Sequence, residues 1–190
     1  MRCVMNLIEA IAVALGLANI SLIIRRSIWN YPFGIVMVAL YVHIFWTAKL
    51  YSDAGLQVFF LFVQFYGWWA WAQKQDDDGR IAVERLTNGA RIGWGIASLA
   101  AAGLWGTMMS QLTDAAYPYW DGTIAMLSVA AQVMMTRRLI ENWWWWIVVD
   151  TLAIGLFAVK GLWLTAGLYG VFLIMAIIGL VEWQRRLRVA

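Results

Sequence analysis

The hydrophobic positions of this chain gather into seven long runs, at about 6–24, 31–50, 54–73, 91–110, 117–136, 142–160 and 163–184. Each has about 18–22 residues, enough for a helix rising 1.5 Å per residue to cross a hydrocarbon core of roughly 30 Å. Pro32 and Gly34 fall near the start of the second run, where a helix tolerates them. The pattern predicts an all-α integral membrane protein of seven transmembrane helices. The first run, Arg2 followed by apolar residues to Ile24, has some look of a signal peptide. It is longer than an ordinary signal core and carries Glu9 and Asn19, so it is read as a membrane helix.

The polar positions set the orientation. Arg25 and Arg26 follow the first span, and Lys74, Arg80, Arg85 and Arg91 follow the third. Arg137 and Arg138 follow the fifth, and Arg185, Arg186 and Arg188 the seventh. Of 14 basic residues, only Arg2, Lys49 and Lys160 fall on the other side of a seven-span topology. The positive-inside rule then predicts an outside N-terminus and a cytoplasmic C-terminus. The polar stretch 74–91 reads as a solvated cytoplasmic loop; Asp76, Asp77 and Asp78 within it are a weak candidate for a metal site.

The chain also matches itself after a shift of 112 residues. Arg25–Arg26 fall on Arg137–Arg138, Asn30 on Asn142, Ala54-Gly55-Leu56 on Ala166-Gly167-Leu168, Gly67 on Gly179 and Trp71 on Trp183. Polar and glycine matches in register mark a duplication. A three-span unit copied once, with an unmatched fourth span between, gives a 3+1+3 plan with parallel repeats. The expected divisions are 1–73 for the first repeat, 74–112 for the loop and linker helix, and 113–190 for the second repeat and basic C-terminus. Transporters built this way hold a solute at the repeat interface near the midplane.

Composition narrows the function. The chain is 63% hydrophobic and 13% charged, with mean hydropathy +0.70. A single Cys3 and a single His43 give no disulfide framework and none of the usual His-based metal or hydrolase motifs. No phosphate loop or nucleophile elbow appears, so no enzyme, cofactor or nucleic-acid partner is expected. The lipid bilayer is the evident partner; the sequence leaves a homo-oligomer open.

Candidate binding residues lie on three helical faces. In the third span Gln57, Gln64, Trp68 and Trp71 share a face; in the fifth, Asp121, Ser128 and Gln132 do. In the sixth, Asn142, Trp143, Trp146 and Asp150 form an aromatic and acidic stripe. A carboxylate at mid-membrane depth costs about 3 kcal/mol on insertion scales, so Asp150 should turn inward. An aromatic face beside a carboxylate favours a flat, cationic solute. The competing reading is that the glutamines only tie helices together and that the copies drifted apart after duplication. Most of Trp29, Trp94, Trp105, Trp120, Trp163 and Trp183 are expected in interfacial belts, along with two or three of the four tryptophans 143–146.

Two stretches carry a resemblance: PFGIVMVALYVHIFWTAKLYSDAGLQVFFLFVQFYGWWAW (32–71) and ENWWWWIVVDTLAIGLFAVKGLWLTAGLYGVFLIMAIIGL (141–180). In these the chain resembles the PnuC-type nicotinamide riboside transporters, which are similar in plan to full-length SWEET proteins. The resemblance implies facilitated diffusion of the riboside across a bacterial inner membrane, without ion coupling, and trapping by a cytoplasmic riboside kinase. Relatives are thought to carry thiamine or riboflavin, which leaves the vitamin open; the rival readings are a carrier of thiamine or another vitamin on the same fold and a non-transporting membrane receptor or assembly subunit. It also implies roles: Trp146 or Trp68 stacking on the pyridinium, Asn142 and the glutamines on the amide or hydroxyls, and Asp150 on the charge. After Asp121 the family often has paired threonines; this chain has Gly122, Thr123, Ile124 and Ala125.

Overall fold

The computed structural model describes residues 2–47, 51–73, 82–113 and 116–189. Among these, seven helices follow in order: α1 Arg2–Ile24, α2 Asn30–Thr47, α3 Tyr51–Ala72, α4 Asn88–Leu112, α5 Pro118–Thr136, α6 Asn142–Val159 and α7 Trp163–Val189. They are the seven spans of the hydropathy pattern, with α4 starting earlier and α7 running past the apolar stretch into its arginines. Thr87 explains the earlier start: its hydroxyl accepts from the Ala90 N–H at 3.3 Å, capping α4 before the apolar run begins. Pro118 opens α5, at a position whose N–H would be unpaired anyway. By length and composition α4, α6 and Thr165–Leu187 of α7 are each able to cross a membrane, and Ala10–Ile24 and Asn30–Ile44 are shorter apolar stretches. Asp76–Asp78 and Lys49 lie outside the described residues, as does the side chain of Glu9.

The chain gathers into two compact units, Met1–Ala82 with Thr136–Arg138, and Val83–Met135 with Leu139–Ala190. In the first, α2 packs against α1 and α3. In the second, α6 packs against α7, and α5 is tied to α6 by the Trp120 indole donating to the Leu152 carbonyl at 3.0 Å.

Inside the two copies the same devices recur at the 112-residue offset. The α1–α2 turn closes with the Ser27 N–H donating to Leu22 O at 2.9 Å and Arg26 in the left-handed region at φ 59°. The α5–α6 turn repeats it, with the Leu139 N–H donating to Met134 O at 3.0 Å and Arg138 at φ 61°. Asn30 Nδ2 donates to Ser27 O at 2.7 Å, and Asn142 Nδ2 to Leu139 O at 2.6 Å. Tyr31 then lies over Gly67 and meets Trp71 edge-on, with ring centroids 5.2 Å apart at 90°. Trp143 lies over Gly179 and meets Trp183 at 5.5 Å and 90°. A glycine is required at both places because an aromatic ring sits where a Cβ would be. Trp71 and Trp183 are fully buried. This corrects the expectation for Trp183: packing inside its own repeat keeps it from an interfacial belt.

Candidate substrate site

In the first copy the site residues lie on α3. Gln64 is 5% exposed, and its Nε2 lies 2.6 Å from where a Cβ on Gly34 would stand. Asn19 of α1 reaches the same spot, 2.7 Å from that position, while its Nδ2 donates to Asn30 O at 2.7 Å. The bare backbone at Gly34 is what lets two amides converge there. Asn19 lies outside the three helical faces named above; its only signal was a polar side chain in an apolar run. Gln57 is half-buried and Trp68 is exposed, one turn beyond Gln64 on the same helix.

In the second copy Gln132 on α5 is buried, as are Asn142, Trp143 and Asp150 on α6. Trp146 is half-buried, one turn before Asp150. Asp150 is 3% exposed and, among the described residues, forms no ion pair. Asp121 is exposed at the start of α5, and the Ser128 hydroxyl is spent on the Ile124 carbonyl at 2.7 Å. Among the described residues no three His, Cys, Asp or Glu side chains converge as metal ligands would.

The copies part company at one set of equivalent positions. Where the first has Gly34 between Asn19 and Gln64, the second has Trp146, Ala131 and Ala176, both alanines buried. A pair of amides over a glycine has been exchanged for an indole and two methyl groups. Asp150 likewise stands where the first copy has Val38.

Three buried polar atoms that have no hydrogen-bond partner among the described residues also fall on residues singled out from the sequence: Gln64 Oε1, Asn142 Oδ1 and Trp143 Nε1. An unpaired buried donor or acceptor costs about 1–3 kcal/mol. Gln64 Oε1, in the first unit, and Asn142 Oδ1, in the second, are acceptors; Trp143 Nε1, also in the second, is a donor. Asn142 and Trp143 are partly committed already, the amide to the α5–α6 turn and the indole to Gly179 and Trp183.

Sequence reasoning missed Glu141, treated only as the first letter of a motif. Its carboxylate is buried and accepts from the Leu86 N–H at 3.2 Å and from Arg91, Nε at 2.9 Å and Nη2 at 2.8 Å. The Ile140 N–H adds a bond to Glu84 O at 3.0 Å. Together they clasp the segment leading into α4 to the start of α6.

Comparison with known proteins places this frame. The nicotinamide mononucleotide transporter family model matches residues 6–185. The nicotinamide riboside transporter PnuC of Escherichia coli is 28% identical over 201 residues, covering 93% of this chain and 84% of that one. The riboflavin/roseoflavin transporter RibM of Streptomyces davaonensis is 29% identical over 187 residues, covering 92% and 83%. A crystal structure of the vitamin B3 transporter PnuC superposes with a TM-score of 0.77 at 27% identity, over 94% of this chain and 80% of that one. The chain therefore belongs to the nicotinamide mononucleotide transporter family of integral membrane transporters.

Proposed function

We propose that this protein carries nicotinamide riboside across a bacterial inner membrane by facilitated diffusion and alternating access. The observation that carries the reading is that buried polar atoms lack a partner among the described residues in each unit, Gln64 Oε1 in the first and Asn142 Oδ1 and Trp143 Nε1 in the second. An orphaned group of this kind calls for a partner beyond the chain's own hydrogen bonds, and a bound solute supplies one. The riboside has a flat cationic ring, a carboxamide and ribose hydroxyls. Trp146 or Trp68 stacks on the ring, and Asp150 balances its charge. Gln57, Gln64, Gln132 and Asn142 take the amide and hydroxyls, and the Trp143 N–H gives one further donor. The named relatives support the substrate class.

In this reading the basic span ends face the cytoplasm, and the repeats divide at 1–73, 74–112 and 113–190. Net uptake is completed when a cytoplasmic kinase phosphorylates the riboside. A homo-oligomer is compatible with this scheme and adds nothing to the site.

A tryptophan-fluorescence titration of the detergent-purified protein tests the substrate, with nicotinamide riboside, thiamine and riboflavin in parallel. Saturable quenching by the riboside, lost in Trp146→Ala and weakened at least tenfold in Asp150→Asn, is the expected result. Riboflavin is the second reading, because a relative of similar identity carries that name. Quenching by riboflavin or thiamine alone would overturn the vitamin named here, and silence from all three would overturn the site.

A further inference from the structure

Apart from the transport residues, the second unit holds a cavity of about 340 Å³ beside the Glu141 clasp. Arg85, Arg91, Glu141, Trp144, Trp145 and Gln184 line it. Its charges are unequal. Arg91 is neutralised by Glu141 at 2.8 Å and braced by Asn88 Oδ1 at 3.1 Å. Glu141 in turn is buried and spent on Arg91 and Leu86. Arg85 is exposed and, among the described residues, has no carboxylate partner. The lining thus carries one net positive charge, on a guanidinium able to chelate two oxygens of a phosphate.

The helix end at the cavity supplies none of this. The first N–H groups of α6 are already used, Asn142 on Leu139 O, Trp143 on Ile140 O and Trp144 on Glu141 O. The Trp145 indole is turned away to the Ser98 hydroxyl at 3.3 Å. Trp144, by contrast, is 52% exposed in the first turn of α6. The cavity lies where two apolar spans begin, α4 at Asn88 and α6 at Asn142, and Arg185 and Arg186 follow directly after Gln184. An exposed indole with arginines at span ends is the arrangement of the headgroup layer.

We propose that this cavity binds the phosphate headgroup of an anionic phospholipid. Arg85 is the ligand to the phosphodiester, Gln184 a neutral partner, and Trp144 the side of the pocket that meets the lipid's glycerol end. The clasp gives such binding a consequence: a lipid held by Arg85, one residue from Leu86, restrains the segment that leads into α4.

The test uses the full chain purified in a neutral detergent. Phosphatidylglycerol, phosphatidylcholine or inorganic phosphate is added to wild type, Arg85→Gln and Arg186→Gln, and the melting temperature is followed. Phosphatidylglycerol should raise it saturably in wild type and in Arg186→Gln, whose arginine is already paired with Glu182 at 3.0 Å. Arg85→Gln should bind about fivefold more weakly, the worth of one basic residue at an anionic surface. Phosphatidylcholine should do neither. Equal responses in Arg85→Gln and wild type, or a response to phosphatidylcholine, would overturn the proposal. So would an equal response to inorganic phosphate, which would assign the cavity to a soluble anion. If Arg85→Gln fails to fold, native mass spectrometry of Arg85→Lys and Trp144→Ala replaces it. Retention of phosphatidylglycerol at the wild-type level by both variants would then refute the site.

Discussion

The packing of Trp143 on Gly179 makes a prediction whose size follows from the geometry. In Gly179→Ala the new methyl would stand 2.5 Å from Cη2 and Cζ2 of Trp143 and 2.7 Å from Cε2. The indole cannot swing aside freely, because it packs edge-to-face with the fully buried Trp183. Overpacking of this kind costs about 1–3 kcal/mol. Alanine recovers about 0.8–1.0 kcal/mol over glycine inside a helix. The net loss is then on the order of 1 kcal/mol, or a fall of about 2–4 °C in melting temperature for a chain of this size. Gly170 lies on the same helix, and a Cβ there would meet nothing within 4 Å. Gly170→Ala should therefore hold or raise the melting temperature. Thermal unfolding in detergent, read by size-exclusion chromatography after heating, compares the two. Trp143→Leu combined with Gly179→Ala should cost less than the sum of the single changes. If Gly179→Ala proves as stable as Gly170→Ala, the argument that glycine is there to admit the ring is wrong.

Three further outcomes are expected. Gly67→Ala should lower the melting temperature as Gly179→Ala does, since its methyl would stand 2.6 Å from the Tyr31 hydroxyl; a neutral result in one copy only would break the equivalence of the repeats. Glu141→Gln keeps the shape but loses charge-assisted hydrogen bonds worth about 1.5–3 kcal/mol, part of which Arg91 regains from water; hydrogen exchange at the Leu86 amide should accelerate, and unchanged protection would show that the clasp is not held by the carboxylate. Gly34→Ala would push aside the buried amides of Gln64 and Asn19, the latter bonded to Asn30 O at 2.7 Å, so stability should fall by about 1 kcal/mol and riboside affinity about tenfold; unchanged affinity in the titration would make that amide cluster mere packing.

Much of this was legible beforehand because two periodicities reinforced each other. Runs of about twenty apolar residues located the helices, and the 112-residue offset tied their features into pairs. Gly67 and Trp71 against Gly179 and Trp183 were visible as matches, yet their role was not. A tryptophan at a span end reads as an interfacial anchor until a glycine one turn away shows that another ring packs there. Reading the recurrent Gly-x-x-x-Trp as a unit would have placed Trp183 inside. Asn19 was hidden for a different reason: one amide in an apolar helix looks the same whether it joins helices or faces a solute. Only its convergence with Gln64 on Gly34 distinguishes it. The Glu141 clasp joins residues 50 and 55 positions apart with no repeat to announce it.

Uptake by sealed vesicles bears most directly on the central claim. Purified protein reconstituted into liposomes is given labelled nicotinamide riboside with no ion gradient, alongside Trp146→Ala and protein-free liposomes. Facilitated diffusion gives saturable uptake that stops at equal inner and outer concentrations, fails in Trp146→Ala and continues to accumulate when a riboside kinase and ATP are sealed inside. Accumulation beyond equilibrium without the kinase, or no uptake above that of empty liposomes, would contradict it.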